Sequence, residues 1–166
     1  MRLFIDTISG DELFSDAFPV KEMEGRYEVE CQMISVNRGV EVDLGEESDT
    51  AAAAEDSADS EQVLNVAHAH RLVETSFDKK SYTIYIKGYL KRLKATLSET
   101  NPEAAEGFER ESAALAKEVL ANFDDYRFYT GAGMNVDGMV ALLNHRDGGT
   151  TPYLTFFKHG LRVEDV

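Results

Sequence analysis

The sequence predicts an α+β protein in which two helices are inserted between two groups of β-strands. Three observations favour this fold class. Apolar and polar residues alternate in the first third of the chain, apolar residues then recur at helical spacing over residues 78–122, and short apolar runs separated by glycines follow. The chain has 166 residues, a length that buries a sizeable core in one domain, so we expect residues 1–166 to fold as a single unit.

The N-terminal segment predicts a short strand followed by a turn. Residues 2–6 are mainly apolar and end at an aspartate, which is typical of a strand. Residues 9–16 are rich in serine and acidic side chains, so they predict a polar turn with Leu13 and Phe14 as apolar anchors.

A clearer strand is predicted at residues 27–33. Its apolar members are Tyr27, Val29, Cys31 and Met33, and they alternate with Glu28, Glu30 and Gln32. This alternation predicts one buried and one solvent-facing side. Cys31 is the single cysteine, which excludes an intramolecular disulfide and a cysteine-rich zinc site. Because Cys31 lies on the apolar side, we interpret it as a core residue and not as a nucleophile.

Residues 41–62 contain nine acidic residues and no lysine or arginine. Such a composition buries too little apolar surface to offset the entropy of ordering, so we predict a disordered acidic loop. The whole chain carries a net charge of −14, which argues against a general nucleic-acid binder because phosphate contacts need a basic face.

Residues 63–73 predict another strand, with one face formed by Leu64, Val66, His68, His70 and Leu72. On a strand, His68 and His70 would project from the same face, as metal ligands sometimes do. No third ligand is close in sequence, so we favour a sheet face with hydrogen-bonded histidines over a metal site.

A long amphipathic helix is predicted from Asp78, its N-cap, to Ser98. Its apolar side consists of Tyr82, Ile86, Tyr89, Leu90, Leu93 and Leu97. Its opposite side, which we name the lysine stripe, consists of Lys80, Lys87, Lys91 and Lys94. The simplest interpretation of the lysine stripe is a solvated helix face, and its alternatives are contacts with an acidic protein groove, the acidic surface of tubulin or an anionic membrane.

A second helix is predicted to begin at Asn101-Pro102 and to end near Asn122. Because the connection after Ser98 is short, the two helices are predicted to form an antiparallel hairpin over residues 78–122. Three further strands are predicted at residues 126–130, 139–146 and 152–158, with glycine-rich turns between them.

The glycine-rich segment 131–138 matches neither a dinucleotide-binding loop nor an EF-hand. An EF-hand that starts at Gly133 would lack its first acid and would end at Asn144 in place of glutamate. The chain also lacks nucleophile-elbow, zinc-protease and Walker motifs, so we predict a protein that is not an enzyme. It contains no signal-like or membrane-spanning apolar run, and we expect a cytoplasmic monomer.

Several phrases, in order and at matching spacing, resemble the translationally controlled tumor protein (TCTP) family over nearly the whole chain. They are Asp11-Glu-Leu-Phe-Ser-Asp16, Glu74-Thr-Ser-Phe77, Tyr85-Ile-Lys-Gly-Tyr89, Val119-Leu-Ala-Asn-Phe123, Met134-Asn-Val-Asp-Gly-Met-Val-Ala-Leu142, Thr151-Pro-Tyr153 and Phe156-Phe-Lys-His-Gly-Leu161. The resemblance implies a tent-like β domain of antiparallel sheets, similar to a Rab chaperone and to methionine sulfoxide reductase B, with an inserted helical hairpin.

The family resemblance also implies a multifunctional protein of growth, survival and translation. Its implied partners are translation elongation factors, a Ras-like small GTPase and microtubules, and its implied locations include the nucleus and release without a signal peptide. Glu12 matches the family's acid that contacts the GTPase and elongation factors. The family's Gly-Glu after the aromatic strand is Gly131-Ala132 in this chain.

Two functional hypotheses follow. The first is a non-catalytic interaction protein that uses Glu12 as one contact and Lys80, Lys87, Lys91 and Lys94 as another, with no required cofactor. The second is a calcium buffer or sensor with weak affinity, on the order of millimolar, because no recognisable ligand loop is present.

Overall fold

The computed structural model describes residues 1–37, 60–146 and 148–166. Its strands and helices confirm the predicted α+β class. The strands are β1 (Arg2–Asp6), β2 (Glu12–Ser15), β3 (Val20–Met23), β4 (Arg26–Glu30), β5 (Met33–Asn37), β6 (Ser60–Leu64), β7 (Val73–Thr75), β8 (Arg127–Thr130), β9 (Ala141–Arg146), β10 (Thr151–Phe157) and β11 (Leu161–Asp165). The helices are α1 (Asn65–His70), α2 (Lys79–Thr100) and α3 (Pro102–Ala121).

The strands form three antiparallel sheets. The main sheet has six strands in the order β3-β4-β10-β9-β8-β7. A three-stranded sheet in the order β11-β1-β2 joins the two ends of the chain, and β5 pairs with β6 in a third sheet. The backbone N–H of Val166 donates to the carbonyl of Met1 at 2.9 Å, so the chain termini are held together.

The main sheet is covered on both faces because successive side chains along a strand point in opposite directions. On one face, Phe156 packs against Phe14 of the three-stranded sheet, with ring centroids 4.4 Å apart. On the other face, the adjacent Phe157 lies 5.9 Å from the ring of Tyr89 in α2. The main sheet therefore forms the middle layer between the small sheet and the helical hairpin.

The predicted helical hairpin is confirmed, including its first cap. Asp78 forms a capping box with Ser81, whose N–H donates to the Asp78 carboxylate at 2.7 Å. The buried residues of α2 are Tyr82, Ile86, Tyr89, Leu93 and Leu97, all on the predicted apolar side, and its sixth predicted member, Leu90, is partly buried against the core. Asn101 connects the two helices, but its side chain caps neither of them. None of the helices in the described residues combines the length and apolar composition that a membrane span requires.

Three predictions for the N-terminal half are wrong. The predicted polar turn over residues 9–16 contains strand β2, in which Leu13 and Phe14 are both buried. Met33 is 50% exposed because the chain leaves the main sheet after Cys31, and among the described strands β5 pairs with β6 alone. Glu28 is only 9% exposed, since Arg146 on β9 covers it and donates to its carboxylate at 3.2 Å.

The strand predicted at 63–73 is also wrong. Strand β6 ends at Leu64, and the helix α1 follows it. Val66 and Ala67 are both buried, and adjacent residues can share a buried side on a helix but not on a strand with one wet face. The predicted acidic loop 41–62 lies outside the described residues apart from its last three, which belong to β6.

Cys31 is expected to be unreactive in the folded protein. Its thiol is buried and donates to the carbonyl of Val29 at 3.4 Å, and burial raises the pKa of Cys31 to about 12. Because the thiolate is the reactive form, we expect an aromatic disulfide reagent to label the native chain about a hundredfold or more slowly than the urea-unfolded chain. Rapid labelling in native buffer would contradict this burial.

The ion pair between Arg26 on β4 and Glu118 on α3 predicts a pH-dependent contribution to stability. Arg26 donates from both terminal nitrogens to Glu118 at 2.9 Å each, and these bonds hold the pKa of Glu118 below its usual value. A lowered carboxyl pKa stabilises the folded state above the unfolded-state pKa, and this contribution is lost as the pH falls through the folded-state pKa.

We therefore expect Glu118→Gln to lower the free energy of unfolding at pH 7 by about 0.5 kcal/mol, because exposed ion pairs contribute little. The difference from wild type should vanish in acid. Urea unfolding at several pH values measures it, with Glu106→Gln, an exposed position on the same helix, as control. The ion pair has no such role if both variants show the same pH dependence.

Candidate functional site

Glu12 is the first residue of β2, and its side chain is 54% exposed. The preceding turn is closed by the N–H of Gly10, which donates to the carbonyl of Asp6 at 2.8 Å. Gly10 has a φ of 80°, a conformation that suits glycine. This turn places Glu12 at the edge of the small sheet with its carboxylate in solvent.

The loop 131–138, which connects β8 to β9, packs against Asp11, the residue that precedes Glu12. The Asp11 carboxylate accepts a hydrogen bond from the N–H of Gly133 at 3.1 Å. A Cβ at Gly131 would clash with the Asp11 carboxylate, so glycine is required for this close approach. The buried carboxylate of Asp6 accepts from the N–H of Met139 at 2.7 Å and fixes the far end of the loop.

This loop exposes two large apolar side chains, Met134 and Val136, and Met134 has a positive φ of 52°. Position 132 is also exposed, and because it is alanine, the loop has no carboxylate where the family has a glutamate. We name Glu12, Met134 and Val136 the Glu12 surface. An exposed acid and exposed apolar residues on neighbouring segments form a composition that suits a protein contact.

The loop is also bonded to helix α2. The Tyr85 hydroxyl donates to the carbonyl of Gly138 at 2.6 Å and accepts from the N–H of Val140 at 3.1 Å. Arg92 donates to the carbonyl of Asp137 at 3.0 Å. The hairpin therefore supports the loop that packs against Asp11.

His70 lies next to Glu12, with Nδ1 3.9 Å from the carboxylate. Burial lowers the pKa of His70, and the neighbouring Glu12 charge opposes this shift. A histidine with a lowered pKa is neutral at pH 7, so it does not neutralise Glu12 there. The Glu12 carboxylate thus remains available to a partner.

The lysine stripe is exposed along α2. Lys94 forms an ion pair with Glu109 of α3 at 3.0 Å, so this lysine already has a partner within the hairpin. Lys80, Lys87 and Lys91 form no ion pair with another described residue. The structure therefore leaves three of the four predicted lysines free in the part of the chain that it describes.

Ile84 is 65% exposed and lies on the lysine stripe, four residues after Lys80 and three before Lys87. The sequence carries this signal, because an apolar residue at this spacing interrupts an otherwise basic helix face. Val136 and Met134 could not be found in the same way, since a loop has no periodicity that separates exposed from buried apolar residues. The contact surfaces are therefore less purely charged than predicted.

The structure separates the two histidines that the sequence placed together. On the helix α1, His68 and His70 are two positions apart and point about 200° from each other. Across residues 1–37, 60–146 and 148–166, no three His, Cys, Asp or Glu side chains are grouped closely enough to hold a metal ion. The last four residues of the EF-hand alignment that starts at Gly133 belong to strand β9 and not to a loop. The segment is therefore a glycine-rich connection between strands.

Comparison with known proteins gives a consistent result. Residues 1–162 match the family model described as translationally controlled tumour protein. The chain is 51% identical to the translationally-controlled tumor protein homolog of Yarrowia lipolytica, with all of both chains covered. It is 50% identical to the homolog of Schizosaccharomyces pombe, with 99% of each chain covered. These relatives carry no catalytic activity in their names.

Solved structures agree with the sequence relatives. The structure of the Schizosaccharomyces pombe protein p23fyp superimposes with a TM-score of 0.84 at 48% identity, over all of both chains. A solution NMR structure of the Caenorhabditis elegans translationally-controlled tumor protein superimposes with a TM-score of 0.72 at 25% identity, covering 100% of this chain and 99% of the other. The chain therefore belongs to the translationally controlled tumour protein family.

Proposed function

We propose that this protein is a non-catalytic cytoplasmic interaction protein that regulates growth, survival and translation. The Glu12 surface contacts translation elongation factors and a Ras-like small GTPase, and the lysine stripe contacts an acidic protein surface such as that of tubulin. The family membership supports this class of function. The proposal rests on one observation, which is that the exposed Glu12 carboxylate follows Asp11, the residue that holds the loop 131–138 with its exposed apolar side chains.

The two surfaces can act separately. The Glu12 surface combines one negative charge with apolar side chains, whereas the lysine stripe combines positive charges with Ile84. The hydrogen bonds of Tyr85 and Arg92 fasten the loop to α2, so the segments that carry the two surfaces are joined directly. One molecule could therefore hold two partners of opposite charge.

The Glu12 surface is tested by titrating labelled protein with elongation-factor subunits and with a Ras-like GTPase. We expect Glu12→Ala to weaken at least one of these complexes by about tenfold or more, since a lost interfacial charge contact raises the dissociation rate. Glu24→Ala removes another exposed acid, from the β3–β4 turn, and serves as control. The assigned role of Glu12 is wrong if both variants bind every partner as the wild type does.

The lysine stripe is tested with tubulin in the same format. A variant with Lys80, Lys87 and Lys91 replaced by alanine should bind more weakly, and wild-type binding should weaken as salt rises. The matched control replaces Lys21, Arg110 and Lys117, which changes the net charge equally at other exposed positions. Equal binding of both triple variants would leave the stripe as a solvated helix face.

Calcium binding is the second candidate function and has less support. Within the described residues, no group of acids has the arrangement of a metal site. We propose that no cofactor is required. A calcium titration followed by backbone NMR decides between the two, because a real site gives saturable shifts clustered in one place, whereas counterion attraction gives small shifts spread over many acidic positions.

A further inference from the structure

A cleft of about 1030 Å³ lies on the side of α1 that faces away from Glu12. Helix α1 and strand β6 form one wall of the cleft, and strands β7, β8 and β9 form the other. Its volume is close to the upper end of the range for small-molecule sites, which are about 300–1,000 Å³. His70 contacts Glu12 on one side of α1, and His68 lines the cleft on the other. The cleft is therefore distinct from the Glu12 surface.

The floor of the cleft has an apolar centre between polar groups. Arg127 and Leu143 are register partners on β8 and β9, and Tyr129 and His145 follow them on the same face. Tyr129 is half-buried. Met33, whose exposure the alternation did not predict, also lines this cleft, so its exposed side chain faces a cavity.

The charged groups of the cleft are unusual for such an acidic protein. Among the described residues that line it, two arginines and two histidines stand against the two acids Glu61 and Glu74. Glu74 is paired with Arg127 at 3.6 Å. Arg71 forms no ion pair or side-chain hydrogen bond with the rest of the described chain and is exposed. One arginine is thus available to a ligand.

Arg71 also occupies a strained backbone position. It ends α1 with a φ of 59° and a ψ of 37°, and its N–H donates to the carbonyl of Ala67. Glycine is the usual residue at such a left-handed helix end, because other side chains are disfavoured there. Backbone strain of this kind is concentrated at functional sites, where the side chain is needed.

We propose that this cleft binds a small organic anion whose carboxylate or phosphate is held by Arg71 and whose apolar or aromatic body lies against Tyr129, Leu143 and Met33. The guanidinium group supplies paired donors for such an anion. His68 and His145 offer further polar contacts at the rim of the cleft. The site is independent of the partner contacts proposed above.

The test is an NMR titration of the full chain with phenyl phosphate and with phenylacetate. We expect saturable shifts at the amides of 68–72, 127–129 and 143–145, and much weaker binding of benzyl alcohol, which has the ring without the charge. The tighter of the two anions identifies phosphate or carboxylate as the preferred group. Absence of binding, shifts outside the cleft, or equal affinity for benzyl alcohol would each overturn the proposal.

Arg71→Gly separates binding from folding. Because glycine suits the left-handed position, we expect a melting temperature equal to or above that of the wild type, together with affinity for the anion reduced by about tenfold. Arg71→Asn, which also tolerates this conformation, should behave in the same way. Lys117→Ala removes one exposed positive charge from α3 as control and should bind normally. Wild-type affinity in both Arg71 variants would refute the assigned role.

Discussion

Asp6→Ala is expected to lower the free energy of unfolding by about 3 kcal/mol or more. The buried Asp6 carboxylate accepts hydrogen bonds from the N–H of Ile8 at 2.9 Å, the hydroxyl of Ser9 at 2.8 Å and the N–H of Met139 at 2.7 Å. Alanine would leave these donors without an acceptor, and the Met139 N–H is buried. Hydrogen bonds to a charged group are worth about 1.5–3 kcal/mol each and are not additive, which sets the expected scale.

Urea unfolding measures the loss, and hydrogen exchange at the Met139 amide locates it. The control is Asp16→Ala, because Asp16 is exposed and accepts one backbone hydrogen bond, from the N–H of Arg2 at 3.0 Å. That variant should lose less than about 1 kcal/mol. If both variants lose the same stability, or if the Met139 amide exchanges at the wild-type rate in Asp6→Ala, then Asp6 does not anchor the loop.

This anchor links stability to the Glu12 surface. Asp6 holds the end of the loop 131–138, and Asp11 holds its beginning. A variant at Asp6 that still folds should therefore also weaken partner binding at Glu12, without any direct contact with the partner. Partner titrations with Asp6→Asn, which keeps the shape of the side chain, would reveal this indirect effect.

The helical hairpin could be predicted from sequence because its signals are local. Its apolar spacing, its Asp78 cap and its Asn101-Pro102 boundary all lie within the segment that they describe. The alternation around Val29 and Cys31 is also local, and both residues are buried as predicted. Local patterns were reliable where one element contains its own boundary signals.

Predictions failed where a distant element decides the environment. The alternation marks Glu28 as solvent-facing, but Arg146, which covers it, lies 118 residues later. Strand β11 was not among the predicted strands. Between its two end residues it has one strongly apolar residue, Val163, and it is held mainly by backbone pairing with β1. The residues Leu64, Val66, His68, His70 and Leu72 alternate like a strand, yet α1 forms because Val66 and Ala67 both pack inward.

The candidate sites also differ in whether local sequence signals or distant residues define them. The lysine stripe is local and could be read from the spacing of α2, whereas the role proposed for Glu12 was suggested by the family resemblance and not by any local pattern. The cleft could not be predicted, because its lining comes from residues as distant as Met33 and His145. The left-handed backbone at Arg71 is also not predictable, because the alternation of residues 63–73 predicts a strand and a strand has no left-handed end.

Gly25→Ala is expected to lower the free energy of unfolding by about 3 kcal/mol. Gly25 lies in the turn between β3 and β4 and has a φ of 80°, so alanine there adds left-handed strain of about 1–2 kcal/mol. A Cβ would also lie 2.8 Å from the Cβ of Glu111 and 3.2 Å from its carbonyl oxygen. Because the second contact is with the backbone of α3, the helix or the turn must move.

Gly10→Ala separates these two costs. Gly10 has the same φ of 80°, but an added Cβ would meet no atom within 4 Å. Gly10→Ala should therefore show the strain alone, about 1–2 kcal/mol, and the additional loss in Gly25→Ala reports the contact between the turn and α3. Urea unfolding of both variants at one pH gives this difference. Equal losses would mean that α3 yields to the added methyl group without cost, and that the hairpin is held less closely to the β3–β4 turn than the structure indicates.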